Sequence, residues 1–383
     1  MTGPFDYASP PATLRSGRTG RFVDRPRRSG SRSGSRSGAW PGSLVLALTL
    51  ALACAHRPPT PSADAAAPAD ADLLLKNDEE LFSIGSAAAQ AGDDARAAAS
   101  FGRLADAFPA SPRAPAALHG AGLAERRLAR WRPALRRLER LIALGPGPAA
   151  DEARFLAAEC RWRLGERGEA RALLDGLAAQ DDLAPGLRLR ASAERAVLDL
   201  EDGDAEAARR GLEAGLAAWG VAGERARLDP RESAMARFYL GEANRARFLS
   251  APLDPARGDA ALLERELEAK SSLLLAAQEQ YLAAMRTGDP AYGVAAGTRV
   301  GDLYDELHQQ LTEAPVPLEL DAAQAAAYRT ELAREVAVLS DKAVVAYEET
   351  LSAARRAGVD NDFVERAEEA LTRLRQGRRA GSP

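Results

Sequence analysis

The positions of apolar and small residues repeat along the middle of the chain. The first copy begins at Asp78, and later copies begin at Pro115, Asp151 and Leu189, so the starts lie 37, 36 and 38 residues apart. Each copy holds two runs of about a dozen residues with apolar positions at helical spacing, joined by a short polar turn. No stretch alternates with the two-residue period of a strand. The pattern therefore predicts pairs of antiparallel helices and an all-α fold.

Small residues occur where the two helices of each pair should cross. Only Gly or Ala leaves room for a close approach of two backbones. We expect Gly85 to face Ala97 in the first copy, and Gly122 to face Ala134 in the second. Phe101 should then fill the space toward the following pair.

The first copy places residue types in a recognisable order: bulky Leu81, small Gly85, then Ala97, aromatic Phe101 and terminal Pro109. This order resembles the tetratricopeptide repeat (TPR), whose period is about 34 residues. The resemblance covers roughly residues 78–218, closely in two copies and partly in the next two. Longer periods resemble the repeats of bacterial envelope lipoproteins, including the β-barrel assembly lipoprotein (BamD-like) family. The resemblance implies a TPR-like helical-hairpin solenoid that binds other proteins.

Beyond Gly220 the period fails, although the sequence still reads as helical. A first helix with Leu240-Gly241 in the bulky and small positions precedes a polar insert. Longer, irregular helices are predicted at 260–285, 291–311, 321–357 and 362 to about 374. Such carboxy-terminal helices are expected where a repeat stack needs a cap.

The amino-terminal part contains one long apolar run, Leu44 to Ala55, of 12 residues counting Thr49. A membrane-spanning helix needs roughly 20 residues, whereas a signal peptide needs fewer. Arginines precede the run, and the residues before Cys54 resemble the bacterial lipobox, which implies lipidation of Cys54. A buried cysteine in a short helix is the alternative. Because Ala55 is not the aspartate of an inner-membrane retention signal, we expect an anchor on the periplasmic face of the outer membrane.

These observations divide the chain into five parts. We expect an arginine-rich leader with a lipoprotein signal peptide at 1–53, a disordered Pro/Ala/Asp-rich tether at 54–71, TPR-like repeats at 72–219, a helical extension at 220–377 and a disordered tail at 378–383. A cytoplasmic TPR adaptor with a mistaken amino-terminal extension is the alternative.

Charge narrows the class of partner. The net charge of −4 combines a basic leader with an acidic remainder, because eight arginines and only two aspartates lie in residues 1–53. An acidic remainder argues against nucleic-acid binding, which depends on Lys and Arg neutralising phosphates. We therefore expect protein partners, namely other envelope proteins or peptides, and a membrane contact through the lipid anchor.

Catalytic and metal-binding patterns are missing from the sequence. The three histidines, His56, His119 and His308, are too far apart to suggest a shared site. There is no glycine-rich phosphate loop, no nucleophile elbow and no His/Glu metal motif. We expect no enzyme activity, no cofactor, no metal and no small-molecule substrate.

The predicted binding surface follows from the TPR resemblance. In that family, positions 2, 5, 9 and 12 of each first helix line a concave groove. Carried onto this chain, position 5 gives Phe82, His119 and Phe155, position 9 of the third copy gives Glu159, and position 12 gives Arg126 and Trp162. Aromatic rings beside arginine suit a peptide-binding groove. Phe155 and Trp162 are alternatively core residues, with the register one place out.

Overall fold

The computed structural model describes residues 72–223, 230–254 and 260–381. All the described helices belong to one compact unit that includes Leu75–Pro383. The helices are α1 Asp78–Ala91, α2 Asp94–Ala107, α3 Ala114–Arg127, α4 Trp131–Ile142, α5 Pro148–Arg163, α6 Arg167–Ala178, α7 Pro185–Glu201, α8 Ala205–Gly223, α9 Pro230–Ser250, α10 Ala260–Arg286, α11 Pro290–Glu313, α12 Ala322–Ala357 and α13 Asp362–Gly381. Because these ranges contain helices and no strand, the all-α prediction is confirmed.

Local sequence sets where the helices begin and end. Asn77 caps α1 by accepting a hydrogen bond from the Glu80 backbone, and the Glu80 side chain accepts one from the Asn77 backbone in return. This reciprocal pair satisfies two backbone donors that a helix start leaves free. Gly92 ends α1 with φ at 77°, a left-handed conformation that glycine adopts without strain. Asp321 and Gln324 repeat the reciprocal cap at α12.

The helices pair in chain order, from α1 with α2 through to α11 with α12. The odd-numbered member of each pair is its first helix. Neighbouring first helices also pack side by side, as α1 does with α3 and α9 with α11, and α13 packs on both helices of the final pair. This is a TPR-like stack of helical hairpins closed by one further helix.

The glycines of the first helices lie against large side chains of the second helices. This corrects the expectation that they face alanines. A Cβ added at Gly85 would lie 2.7 Å from the Phe101 ring, so Gly85 faces Phe101 rather than Ala97. Similarly, Gly122 faces Leu138, whose Cδ2 would lie 2.9 Å away, more closely than Ala134. A Cβ added at Gly120 of the next pair would also lie 2.7 Å from the Phe101 ring, as the predicted gap-filling role of Phe101 requires. Phe101 therefore joins two hairpins.

The same arrangement continues where the sequence period fails. Gly241 in α9 lies against the ring of Tyr281 in α10, and Gly301 in α11 lies against Tyr347 in α12. Both tyrosines are fully buried. The helix pairing thus persists after residue 220, where the helices are longer. In each of these pairs a glycine of the first helix still lies against a large side chain of the second helix.

The structure describes the carboxy-terminal end of the chain but not the amino-terminal leader. The helix α13 runs to Gly381, so it extends past Leu374 and covers most of 378–383, the segment that we expected to be a disordered tail. Within the described ranges, no helix has the length and apolarity to cross a membrane. The leader, the tether and Cys54 lie outside the described residues.

Candidate functional site

The predicted groove residues all belong to odd-numbered helices, whose surface is here called the first-helix face. Phe82 in α1 and His119 in α3 are half-buried there. The Phe82 ring meets the Phe101 ring edge-on, with centroids 5.7 Å apart and planes at 60°. Part of the Phe82 ring is therefore used in packing α1 against α2.

Arg126 and Glu159 form an ion pair between α3 and α5. Arg126 Nη1 lies 2.7 Å from Glu159 Oε2, and the two side chains are only 16% and 6% exposed. The role of both residues in holding a partner stays a prediction, and in the structure each charge neutralises the other. The pair instead ties two successive hairpins together.

Phe155 is a core residue. It is 1% exposed and packs with Ala158 and Leu174, so the core alternative considered for Phe155 is correct. Ala191 and Leu198 of α7 belong to the same cluster, and α7 also brings the Arg190 guanidinium over the Phe155 ring, 4.1 Å from its centroid. Phe155 has no free face to offer a partner.

Trp162 has a mixed environment. It is half-buried and packs against the same core cluster as Phe155. The Arg163 guanidinium lies 4.7 Å from the Trp162 ring centroid and 5.3 Å from that of Trp131 in α4. Such cation–π contacts add about 0.5–1 kcal/mol each at exposed sites. Trp162 thus belongs to a cluster that joins the second pair to the third.

A second ion pair crosses from α5 to α7. Arg190 Nη1 lies 2.9 Å from Glu152 Oε2, and Arg190 Nε lies 2.7 Å from Glu194 Oε1. Burial opposes the charge on Arg190, but Glu194 and Glu152 outweigh it and raise the arginine pKa. Burial raises the pKa of Glu194, and the Arg190 charge counters part of that rise. Arg190 therefore stays charged beneath the surface.

Ion pairs between neighbouring first helices continue to the end of the stack. Arg299 in α11 holds Glu242 in α9 through two hydrogen bonds of 2.9 and 3.1 Å. Asp302 in α11 accepts a hydrogen bond of 2.8 Å from Arg366 in α13. Two further pairs of this kind are Arg245 with Glu306 and Arg373 with Asp305. We call these pairs, with Arg126–Glu159 and Arg190–Glu152, the ion-pair ladder.

Asp302 is the most highly connected member of the ladder. It is 4% exposed, and it also accepts a 2.7 Å hydrogen bond from the Tyr347 hydroxyl. Burial alone would raise the Asp302 pKa, but Arg299 and Arg366 outweigh burial and hold the pKa below its ordinary value. The carboxylate is therefore charged, and it joins three helices.

Most of the ion-pair ladder was not predicted from the sequence. A signal was present, since an acidic residue directly follows the packing glycine in both Gly241-Glu242 and Gly301-Asp302. In each case the tyrosine that packs on the glycine donates its hydroxyl hydrogen to that carboxylate.

His119 differs from the residues of the ion-pair ladder, because one of its ring nitrogens has no hydrogen-bond partner among the described residues. In the described part of the chain, nothing hydrogen-bonds to the buried Nε2 atom. Burial lowers the His119 pKa, and the nearby Glu152 carboxylate counters part of that effect. The first-helix face thus presents a neutral imidazole beside the ladder. Over the described ranges, no three His, Cys, Asp or Glu side chains cluster as metal ligands would.

No protein-family model and no curated protein matches this chain. A kinesin light chain of Podosopora anserina with nearly identical TPR-like repeats is 18% identical with a TM-score of 0.37, over 52% of this chain and 97% of that chain. A tetratricopeptide repeat protein from Parabacteroides merdae is 16% identical with a TM-score of 0.35, over 78% and 98%. These likenesses are too distant to add to the helix pairing described above.

Proposed function

We propose that this protein is a scaffold that binds other proteins through the first-helix face. The observation that carries this proposal is the ion-pair ladder, which fixes neighbouring first helices relative to one another. A surface held in place before binding loses less conformational freedom when a partner docks. Phe82, His119 and Trp162 supply half-buried rings on that surface, and such rings suit the anchoring of a peptide.

We further propose that the scaffold is lipid-anchored in a bacterial envelope, on the periplasmic face of the outer membrane. The support comes from the sequence: arginines ahead of a 12-residue apolar run, small residues before Cys54, and a Pro/Ala/Asp-rich segment after it. The partners would be other envelope proteins or peptides. The process would be outer-membrane assembly, cell-wall coordination, secretion or gliding motility.

Labelling tests the anchor. Cells expressing the wild-type chain should incorporate labelled palmitate into it, and globomycin should cause a precursor to accumulate. Cys54→Ala should abolish the label and release the protein from the membrane fraction, whereas the matched variant Cys160→Ala should keep both. A soluble, unlabelled wild-type chain would favour the cytoplasmic TPR adaptor instead.

Crosslinking with recovery of partners tests the binding surface. Phe82→Ala and His119→Ala should each reduce recovery of a partner that the wild type captures, while keeping the folded helix content. Arg334→Ala is the control, because Arg334 is 69% exposed on α12, away from the first-helix face. If both variants recover every partner at the wild-type level, the binding surface lies elsewhere on the stack.

A further inference from the structure

A small cavity lined mainly by charged residues lies where α2, α3 and α4 meet. Its volume is about 290 Å³. It is lined by Asp106, Glu125, Pro133, Arg136, Arg137 and Arg140. Drug-sized ligands occupy pockets of roughly 300–1,000 Å³, so only a compact molecule fits here.

Glu125 is the unusual member of this lining. Its side chain is buried, at 9% exposure, and its Oε2 atom is fully shielded. No group in the described ranges donates a hydrogen bond to that oxygen. A buried carboxylate without a donor is costly, and such groups in folded proteins normally have a partner. Burial raises the Glu125 pKa even though Arg137 and Arg136 act against the rise.

The arginines of the cavity are of two kinds. Arg137 and Arg140 both bind Asp106, at 2.8 Å from Arg137 Nη2 and 2.6 Å from Arg140 Nη1. Arg140 also donates to the Ala105 carbonyl at 2.8 Å. Arg136 is exposed and forms no ion pair within 4 Å in the described part of the chain. The cavity therefore combines a buried carboxylate, Glu125, with a guanidinium that has no ion-pair partner among the described residues, Arg136.

We propose that this cavity binds a free α-amino acid, with the ammonium group donating to Glu125 and the carboxylate accepting from Arg136. A simple anion would leave Glu125 without a donor. A simple cation would face three guanidinium groups with nothing to balance them. A compact zwitterion satisfies both requirements. The inference does not rest on the scaffold function, because none of these residues is a predicted groove residue or a member of the ion-pair ladder.

Calorimetric titration of the full chain with glycine and L-alanine tests the proposal. At least one of the two should bind and raise the melting temperature, since a ligand that binds only the folded state stabilises it. N-acetylglycine lacks the ammonium group and glycinamide lacks the carboxylate, so both should bind at least about tenfold more weakly. The proposal is wrong if neither amino acid binds, or if inorganic phosphate or either blocked analogue binds as tightly.

Variants locate the site. Glu125→Gln and Arg136→Gln should each weaken binding about tenfold or more. Arg132→Gln is the matched control, since Arg132 lies on the same helix but pairs with Glu166 at 2.6 Å. Without ligand, Glu125→Gln should melt no earlier than the wild type, because it removes a buried charge that has no donor. Unchanged binding in Glu125→Gln would overturn the assignment whatever the melting temperature.

Discussion

The ring of Tyr347 rests on the backbone of Gly301. A Cβ added at Gly301 would lie 2.5 Å from Tyr347 Cε1, closer than real Cβ contacts allow. Because Tyr347 is fully buried and its hydroxyl is held by Asp302, the ring has little room to move aside. This contact fixes the approach of α11 to α12.

Gly301→Ala should therefore destabilise the protein by about 1–3 kcal/mol through overpacking. The matched control is Gly211→Ala in α8, where an added Cβ meets no neighbour within 4 Å. That control should be neutral or stabilising by up to about 1 kcal/mol, because alanine is the better helix former. Thermal and urea unfolding followed by circular dichroism would compare them. Equal stability of the two variants would show that Tyr347 moves away without cost.

Arg126→Ala should be strongly destabilising, because it leaves the Glu159 carboxylate buried without its partner. Breaking one side of a buried pair typically costs about 3–5 kcal/mol. Adding Glu159→Leu to Arg126→Ala should restore part of the loss, since it removes the stranded charge. Unfolding free energies of the two single variants and the double variant measure the coupling. If the effects of the two substitutions simply add, the pair does not link α3 to α5.

The neutral state of His119 should make stability depend on pH. Its folded pKa is lowered from 6.5 by burial, so the unfolded chain takes up the proton first as pH falls. The contribution of His119 to the free energy of unfolding is complete above pH 6.5 and is lost as the pH falls below that value. His119→Gln should therefore reduce the decline in melting temperature between about pH 8 and pH 5.5.

His308→Gln serves as the comparison for that experiment. It removes a histidine from α11 without touching the first-helix position of His119. The wild-type decline should persist in this variant. An identical decline in the wild type and in His119→Gln would contradict the role assigned to His119.

Lys270 should matter for stability, although lysines are usually exposed. It is 2% exposed, and its Nζ atom donates to the Phe248 carbonyl at 2.9 Å and the Ala251 carbonyl at 2.7 Å, at the end of α9. Lys270→Met removes both hydrogen bonds, which should cost about 1–3 kcal/mol. Lys342→Met, at an exposed position on α12, should have a smaller effect in the same unfolding assay. The reverse order would show that the carbonyls are satisfied without Lys270.

The sequence by itself determined most of the helices and, in the four copies before residue 220, their pairing. Apolar spacing predicted the long helix at 321–357, which the structure has as Ala322–Ala357 with Asp321 as its cap. The small positions Gly85 and Gly122 were also identified correctly as sites of close contact. The extent of a helix depends on the local spacing of apolar residues, and a close contact depends on a residue without a side chain. Both signals lie within the sequence of a single helix pair.

Only the tertiary structure decided which residues meet across the stack. Phe155 is buried because Arg190 arrives from the next hairpin, and Arg126 finds its partner 33 residues away. Other partners in the ion-pair ladder are separated by 57 residues, as for Arg299 and Glu242, or by 64, as for Arg366 and Asp302. These separations depend on helix length and on the offset between stacked pairs. Local periodicity carries no information about either quantity, so the composition of the first-helix face could not be derived from it.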